Sequence, residues 1–428
     1  MNIKIYPSKV KGKVTAPPSK SMTHRAVVIA SLAKGTSVVK NALISNDTLQ
    51  TINACRAFGV KIKQIGNTLT IEGSNGQLVA PKRTINVNDS GTTMRFITAI
   101  AALATGTTVI SGSKRMHERP MKELLQSLKA LSIKTKSLAK NGHAPLRITG
   151  GKILGGEITI RPNTSSQFVS ALLLVAPFAP KGLRLKIEGR FPSKPYVDTT
   201  IMVMNKFSVK VQNDNYRVFI VRPGQAYQAT TLAIEGDFSS ASYLFAAAAV
   251  TGGQVSVGNL NLKPPQADKV FLNILTQMGC QIEDTDHQVT VKGNFPLRGI
   301  TVDMENCPDT VQTLSAVASY AVGKTHIKNI GHLTYKETDR ITDTARELKK
   351  IGVDVSHNKN SLTIAGRPPK GGVINTHEDH RMAMSMAIAA LGAKRGIMIK
   401  NAEVISKSYP GFWQDLARLG VKMEVVKR

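Results

Sequence analysis

Two patterns of apolar and polar positions recur six times along the 428-residue chain, in step with each other. In the first, a helix end rich in small residues runs into a glycine and then a strand. The glycines are Gly35, Gly106, Gly182, Gly253, Gly323 and Gly396, spaced by 71, 76, 71, 70 and 73 residues. In the second, an apolar helix end meets a Gly or Ser and then an alternating strand, as in Phe58-Gly59-Val60-Lys61-Ile62. It returns at Ser132, Ser208, Gly279, Gly352 and Gly420, 24 to 29 residues after its partner glycine. Glycine is favoured at any helix C-terminus, because it enters the left-handed region without a Cβ clash, so neither pattern alone is informative. Six paired occurrences at one period mark a repeated supersecondary unit.

Each period reads as a helix, a strand after the glycine, a second helix ending at the Gly/Ser signature, and a pair of alternating strands. In the second period this predicts a helix from 91 to about 105, a strand over 107–111, a helix over 120–131 and strands through 148. The fold class is α/β. Six modules exceed what one hydrophobic core holds, so they are expected to form two domains of three modules each.

Composition fits such a chain: 42% of residues are hydrophobic and 5% aromatic, as in an ordinary soluble α/β protein. The apolar runs near Leu172 and Ala246 are too short to span a bilayer, and the lysine-dotted start has no signal-peptide core, so a cytoplasmic location is expected. Cys55, Cys280 and Cys307 are odd in number and widely scattered, which speaks against a disulfide framework or a zinc site and for a reducing compartment. The net charge of +29 would attract anionic small molecules, nucleic acid or acidic membrane alike. It also fits a general excess of solvated lysine, since the lysines form no polybasic run and no aromatic-interleaved motif.

Polar residues gather where the helices begin. The first helices open with Lys20-Ser21-Met22-Thr23-His24-Arg25, Asp89-Ser90-Gly91-Thr92-Thr93-Met94-Arg95, Thr164-Ser165-Ser166-Gln167, Gly236-Asp237-Phe238-Ser239-Ser240, Pro308-Asp309-Thr310 and Asp379-His380-Arg381. Glu118-Arg119-Pro120, Ser193-Lys194-Pro195-Tyr196, Lys336-Glu337-Thr338-Asp339-Arg340 and Lys407-Ser408-Tyr409-Pro410 open second helices. Free N–H groups and about half a positive charge make a helix N-terminus an anion site. Ser, Thr and Asp there are also ordinary N-caps. Arginine and lysine are not, because a cation at that end is unfavourable without an anion to hold. The pattern suits a small polyanion.

Seven of these segments, in order, closely resemble the 5-enolpyruvylshikimate-3-phosphate synthase family: Lys20-Ser21-x-x-x-Arg25, Gly91-Thr92-x-x-Arg95, Glu118-Arg119-Pro120, Thr164-Ser165-Ser166-Gln167-Phe168, Ser193-Lys194-Pro195-Tyr196, Lys336-Glu337-Thr338-Asp339-Arg340 and Asp379-His380-Arg381-Met382-Ala383-Met384. The resemblance runs from about residue 5 to the C-terminus. It implies two domains of three βαβαββ units each, an inside-out α/β barrel arrangement, over residues 15–234 and 1–14 plus 235–428, with the active site in the interdomain cleft. It implies transfer of enolpyruvyl from phosphoenolpyruvate to the 5-hydroxyl of shikimate 3-phosphate in the shikimate pathway, with no cofactor or metal and no membrane or nucleic-acid partner, in a monomer. By the same resemblance Ser21, Arg25, Ser165, Ser166, Gln167, Ser193, Tyr196, Asp309 and Lys336 would hold shikimate 3-phosphate. Lys20, Gly91, Arg119, Arg340, Arg381 and Lys407 would hold phosphoenolpyruvate. Carbon 3 of the enol must gain and then lose a proton while the hydroxyl loses one. Glu337 is the candidate for the carbon, and Asp309 or Lys20 for the hydroxyl. Glu337 between Lys336 and Arg340 also reads as a helix-surface ion pair.

Three residues depart from the family pattern. Asp89 stands where Asn is usual and is expected to cap the helix facing away from ligand. Phe96 replaces proline or leucine and could reposition Gly91, which leaves glyphosate sensitivity open. His332 stands where many relatives have an Asn against the substrate phosphate. An alternative is the sister enzyme that uses UDP-N-acetylglucosamine as acceptor, but the 111–120 loop lacks that enzyme's usual cysteine, and Lys20-Ser21 stands where its Lys-Asn pair is expected. RNA end processing by related modules is weakened by the absence of an aromatic stacking motif. A metal at His377-Glu378-Asp379-His380 competes with the family motif for the same residues, and Ser19-Lys20-Ser21 lacks the leading glycines of a nucleotide loop.

Overall fold

The computed structural model of the chain describes residues 1–426. Two helices fall in each period: α1 (Lys20–Leu32) and α2 (Asn46–Ala57), α3 (Gly91–Ile100) and α4 (Lys122–Ala130), α5 (Gln167–Val175) and α6 (Pro195–Lys206), α7 (Phe238–Thr251) and α8 (Val270–Gln277), α9 (Val311–Ala318) and α10 (Arg340–Lys350), α11 (His380–Leu391) and α12 (Phe412–Arg418). The first of each pair is buried nearly all round; every residue of α11 and all but the last of α7 are buried. Such a helix lies within a core, whereas one with a single apolar stripe, as in α10 or α4, lies on a surface. Alanine and serine line the buried helices, and short side chains let helices approach closely. The apolar runs near Leu172 and Ala246 are α5 and α7, and among the described residues no helix is long and apolar enough to cross a membrane.

Six four-stranded sheets repeat one order. In the third, Gly156–Ile160 runs parallel to Leu183–Ile187, followed by antiparallel Val218–Val221 and then Gln212–Asp214. Each sheet buries alternate residues and leaves the others more open, as Leu69 and Ile71 do along Thr68–Ser74, so one face packs on the helices. A two-stranded pairing, Leu297–Arg298 with Ala321–Val322, is additional. Sheets therefore cover helices, and among the described residues no sheet closes into a barrel.

Three sheets take a strand from outside their own period, which the sequence period does not anticipate. Thr231–Ala233 leads the first sheet, parallel to Lys34–Lys40. Lys11–Thr15 leads the fourth, parallel to Gln254–Gly258. Asn2–Ile5 inserts into the sixth, between Ile397–Lys400 and Met423–Val426. The strand before α1, Lys11–Thr15, thus serves the fourth sheet, and the strand before α7, Thr231–Ala233, serves the first, so these two leading strands are exchanged, while Asn2–Ile5 joins the sixth sheet by antiparallel pairing on both sides. Contacts divide the chain into two compact units, Met1–Pro17 with Glu235–Arg428 and Pro18–Ile234. Each has its own apolar core.

All six positions of the second pattern adopt the left-handed conformation: Gly59 (φ 93°), Ser132 (71°), Ser208 (69°), Gly279 (110°), Gly352 (88°) and Gly420 (89°). The first pattern is less uniform. In the fourth period Gly252 (φ 59°) ends the helix, and Gly253 is required instead by closeness, since a Cβ would lie 2.0 Å from the Val10 carbonyl oxygen. In the second period α3 stops at Ile100, short of the expected 105, and the Ala102 carbonyl turns out to accept from the Gly151 N–H at 3.0 Å. Helix α4 begins at Lys122 and not at 120, because a 3₁₀ turn at Arg115–His117 precedes it and the Met121 N–H donates to the Gly142 carbonyl at 3.1 Å.

Candidate active site

In the Pro18–Ile234 unit the expected site residues lie at the first turns of α1, α3, α5 and α6 and in the loop before α4. Ser19 caps α1 by accepting from the Met22 N–H, which leaves Lys20 and Ser21 half-buried in the first turn. Lys20 Nζ is 3.1 Å from the Asp47 carboxylate at the start of α2. One turn on, Arg25 is only 2% exposed. Its guanidinium donates to the Thr200 hydroxyl at 2.7 Å and to the Ser21 and Tyr196 carbonyls at 2.8 and 2.9 Å. The Phe96 ring lies beneath it, 5.2 Å away. Every acceptor is neutral, and among the described residues no carboxylate pairs with Arg25. Burial lowers its pKa to about 10.

Gly91 opens α3, and the Arg119 guanidinium lies so close that a Cβ at 91 would meet its Nη1 at 2.5 Å. Arg119 is itself buried. Gln167 opens α5, where Ser166 holds the N-cap position; its backbone N–H donates to the Ser165 hydroxyl at 3.2 Å and its amide to the Thr92 hydroxyl at 2.9 Å. Ser193 is buried in the left-handed region (φ 61°), and its carbonyl accepts from the Tyr196 N–H at 3.2 Å.

In the other unit, two arginines and three acids interlock. Asp379 caps α11 by accepting from the Arg381 N–H at 2.9 Å, and its oxygens also accept from Arg340 Nε and Nη2 at 2.7 and 3.2 Å. Arg340, 1% exposed, further donates to Glu337 at 2.7 Å and reaches Asp309 at 3.4 Å. Arg381 donates to the Asp309 carboxylate and carbonyl at 2.7 and 2.9 Å, and to the Tyr243 hydroxyl at 3.3 Å. Burial opposes charge on Arg340, yet Asp379 and Glu337 outweigh it and hold its pKa above the ordinary arginine value. Burial pushes Tyr243 up to about 12 against the pull of Arg381, so it accepts from Arg381 as a neutral hydroxyl near pH 7. His332 is buried in the 3₁₀ segment Gly331–Tyr335, half-buried Lys336 follows it, and buried Lys407 ends the 3₁₀ segment Ala402–Lys407.

The helix-start cations thus meet different fates. Lys20, Arg340 and Arg381 face carboxylates of the fold, so an anion arriving there competes with Asp47, Asp309, Glu337 or Asp379, while Arg25 holds neutral oxygens. Glu337 is an ion-pair partner of Arg340, at three residues' spacing. Ser90, not Asp89, holds the N-cap position of α3, and Asp89 accepts from the Ser113 hydroxyl across the turn. Phe96 is buried beneath Arg25.

Sequence reasoning missed Asp47, Thr92, Thr200 and Tyr243, and gave Asp379 no role of its own. Asp379 had a signal, its place just before the helix. Thr200 and Tyr243 had none, because each lies mid-helix and meets its arginine only through tertiary packing. Among the described residues, no three His, Cys, Asp or Glu side chains are grouped as a metal ion requires.

Comparison with known proteins bears on the family and fold of the whole chain. The family model for EPSP synthase (3-phosphoshikimate 1-carboxyvinyltransferase) matches residues 5–416. A 3-phosphoshikimate 1-carboxyvinyltransferase of Methanothermobacter thermautotrophicus is 40% identical over 416 residues, covering 97% of each chain. One of Methanocella arvoryzae is 42% identical over 427 residues, covering 99% of this chain and 100% of its own. Among solved structures, EPSP synthase from Acinetobacter baumannii superposes with a TM-score of 0.84 at 27% identity, covering all of both chains. The enolpyruvyl transferase NikO from Streptomyces tendae shares the fold, with a TM-score of 0.77 at 16% identity over 99% of this chain and 98% of its own.

Proposed function

The chain belongs to the EPSP synthase family, the 3-phosphoshikimate 1-carboxyvinyltransferases, and from that premise we propose how its residues divide the work. The reaction joins the 5-hydroxyl oxygen of shikimate 3-phosphate to carbon 2 of phosphoenolpyruvate while carbon 3 gains a proton and the hydroxyl loses one. Carbon 3 then gives up a proton as the bond from carbon 2 to the phosphate oxygen breaks, leaving 5-enolpyruvylshikimate 3-phosphate and phosphate. UDP-N-acetylglucosamine is not favoured as acceptor, since the relatives carry the shikimate name.

Ser21, Arg25, Ser165, Ser166, Gln167, Ser193, Tyr196, Asp309, His332 and Lys336 hold shikimate 3-phosphate in this reading. Gly91, Arg119, Arg340, Arg381, Lys407 and Lys20 hold phosphoenolpyruvate. Glu337 exchanges the carbon 3 proton, and its bond to Arg340 at 2.7 Å holds it in place. Asp309 or Lys20 takes the hydroxyl proton; each already has an opposite charge beside it, Arg381 and Asp47 respectively. A positioned acid or base supplies roughly 10²–10⁴ in rate. The enzyme is read as cytoplasmic and as a monomer, and sedimentation of the purified chain checks the oligomeric state.

The observation that carries this reading is Arg25. A buried guanidinium with neutral acceptors alone bears an uncompensated charge, which is costly in a folded chain and becomes favourable when a ligand anion arrives. Phosphate release is expected with shikimate 3-phosphate plus phosphoenolpyruvate and not with UDP-N-acetylglucosamine. Arg25→Ala is expected to weaken shikimate 3-phosphate by about 1.5–3 kcal/mol, the worth of one charge-assisted hydrogen bond, or roughly tenfold or more in KM. Release with the nucleotide sugar, or an unchanged KM in the variant, would contradict the assignment.

A further inference from the structure

The segment that delivers Asp379 and Arg381 is strained. His377 and Glu378, immediately before the cap of α11, both adopt the left-handed conformation, φ 51° and 58°. Neither is glycine, and such residues persist only where surrounding contacts over-determine them, at about 1–3 kcal/mol each. A two-residue left-handed turn reverses the chain sharply, and here it joins the strand Gly372–Asn375 to α11.

The contacts that hold the turn come from α10. Glu347, two turns beyond Arg340 on that helix, has no exposed side-chain surface. One oxygen accepts from the Asn375 N–H at 2.9 Å; the other accepts from His377 Nε2–H at 2.7 Å and from Lys350 at 2.7 Å. Burial raises the pKa of Glu347, but these donors outweigh it and leave the group below the ordinary glutamate range. Turn-internal bonds complete the set: the His377 N–H donates to the Asn375 side chain at 2.9 Å, and the Asp379 N–H to the Thr376 carbonyl at 2.9 Å. Helix α10 therefore grips the same short segment twice, through Glu347 at 375 and 377 and through Arg340 at Asp379.

We propose that Glu347 and His377 are positioning residues: their contact holds the strained 377–378 turn so that Asp379 meets Arg340 and Arg381 meets Asp309 in one fixed geometry. Neither need touch substrate. Released, the turn would relax toward ordinary backbone angles, and because Asp379 follows it directly, the cap and both arginines would shift with it. Placement errors of about 1 Å in a charged site cost up to about 10² in rate. The charged groups facing His377 are Glu347 and Lys350 from α10, with Glu378 and Asp379 beside it in the chain. This inference rests on the reading that Arg340 and Arg381 hold phosphoenolpyruvate.

The test uses the full-length enzyme with His377→Ala, His377→Gln and, because a buried Glu347→Ala could fail to fold, Glu347→Gln. His377→Ala and Glu347→Gln are expected to lower kcat/KM for phosphoenolpyruvate at least tenfold and to leave KM for shikimate 3-phosphate within twofold. Their thermal midpoints should stay within a few degrees of the parent. His377→Gln, whose amide can donate to Glu347, should recover most of the loss. The proposal is overturned if His377→Ala keeps kcat/KM for phosphoenolpyruvate within twofold, if both substrates weaken equally in proportion to lost stability, or if His377→Gln is no better than alanine. Arg381→Ala is measured alongside: unchanged phosphoenolpyruvate kinetics there would sink the underlying site assignment, whereas a large effect there with none at His377 sinks only this inference.

Discussion

A Cβ at position 91 would stand 2.5 Å from Nη1 and 2.7 Å from Cζ of Arg119, nearer than any ordinary contact. The obstacle is the far end of a flexible side chain and not backbone, so the chain can accept Gly91→Ala by moving the guanidinium. Folding stability is expected to change little, while KM for phosphoenolpyruvate rises about tenfold, the scale of one weakened charge-assisted hydrogen bond. Steady-state kinetics beside a urea melt separates the two effects. An unaltered KM would show that Arg119 does not hold that substrate. The neighbouring Arg25 shows the opposite economy: the Phe96 ring and three neutral oxygens fix its position without satisfying its charge.

At the scale of elements, the recurring helix-to-strand corner is left-handed in all six copies, but two copies carry serine, Ser132 and Ser208. A non-glycine residue there costs about 1–2 kcal/mol, part of which glycine returns through the greater freedom it lends the unfolded chain. Ser132→Gly and Ser208→Gly are each expected to stabilise by roughly 0.5–1 kcal/mol. The urea midpoint should rise with no change in slope, because neither substitution alters the surface exposed on unfolding. A lower midpoint in either would mean that the serine makes a contact worth more than its backbone strain. The same corner in the other four copies is already glycine, which explains why the pattern is visible in the sequence.

For the whole molecule the dominant quantity is a net charge of +29. Both substrates are small anions, so this field raises their local concentration, and salt screens it over a Debye length of about 8 Å at physiological ionic strength. Raising sodium chloride from low to high concentration is therefore expected to increase KM for both substrates several-fold with a smaller change in kcat. A KM indifferent to salt would mean that the excess lysine is only a solvated surface and that capture depends on the buried cations alone.

The repeat, the α/β class and the membership of particular residues in helix starts could all be read along the chain, because they rest on local causes: hydrophobic period, left-handed corners and capping chemistry. Arg340 and Arg381 were legible for the same reason, standing in short motifs at helix N-termini. Only the tertiary structure decided which groups meet across the fold. Asp47 beside Lys20, Thr200 beneath Arg25, Tyr243 beside Arg381 and Glu347 beneath His377 are separated from their partners by 27, 175, 138 and 30 residues. The strand exchanges that put Asn2–Ile5 into the sixth sheet and Thr231–Ala233 into the first are of the same kind. Pairings at such distances leave no periodic trace, since many side chains of the right type could have served, and packing alone selects the one that arrives.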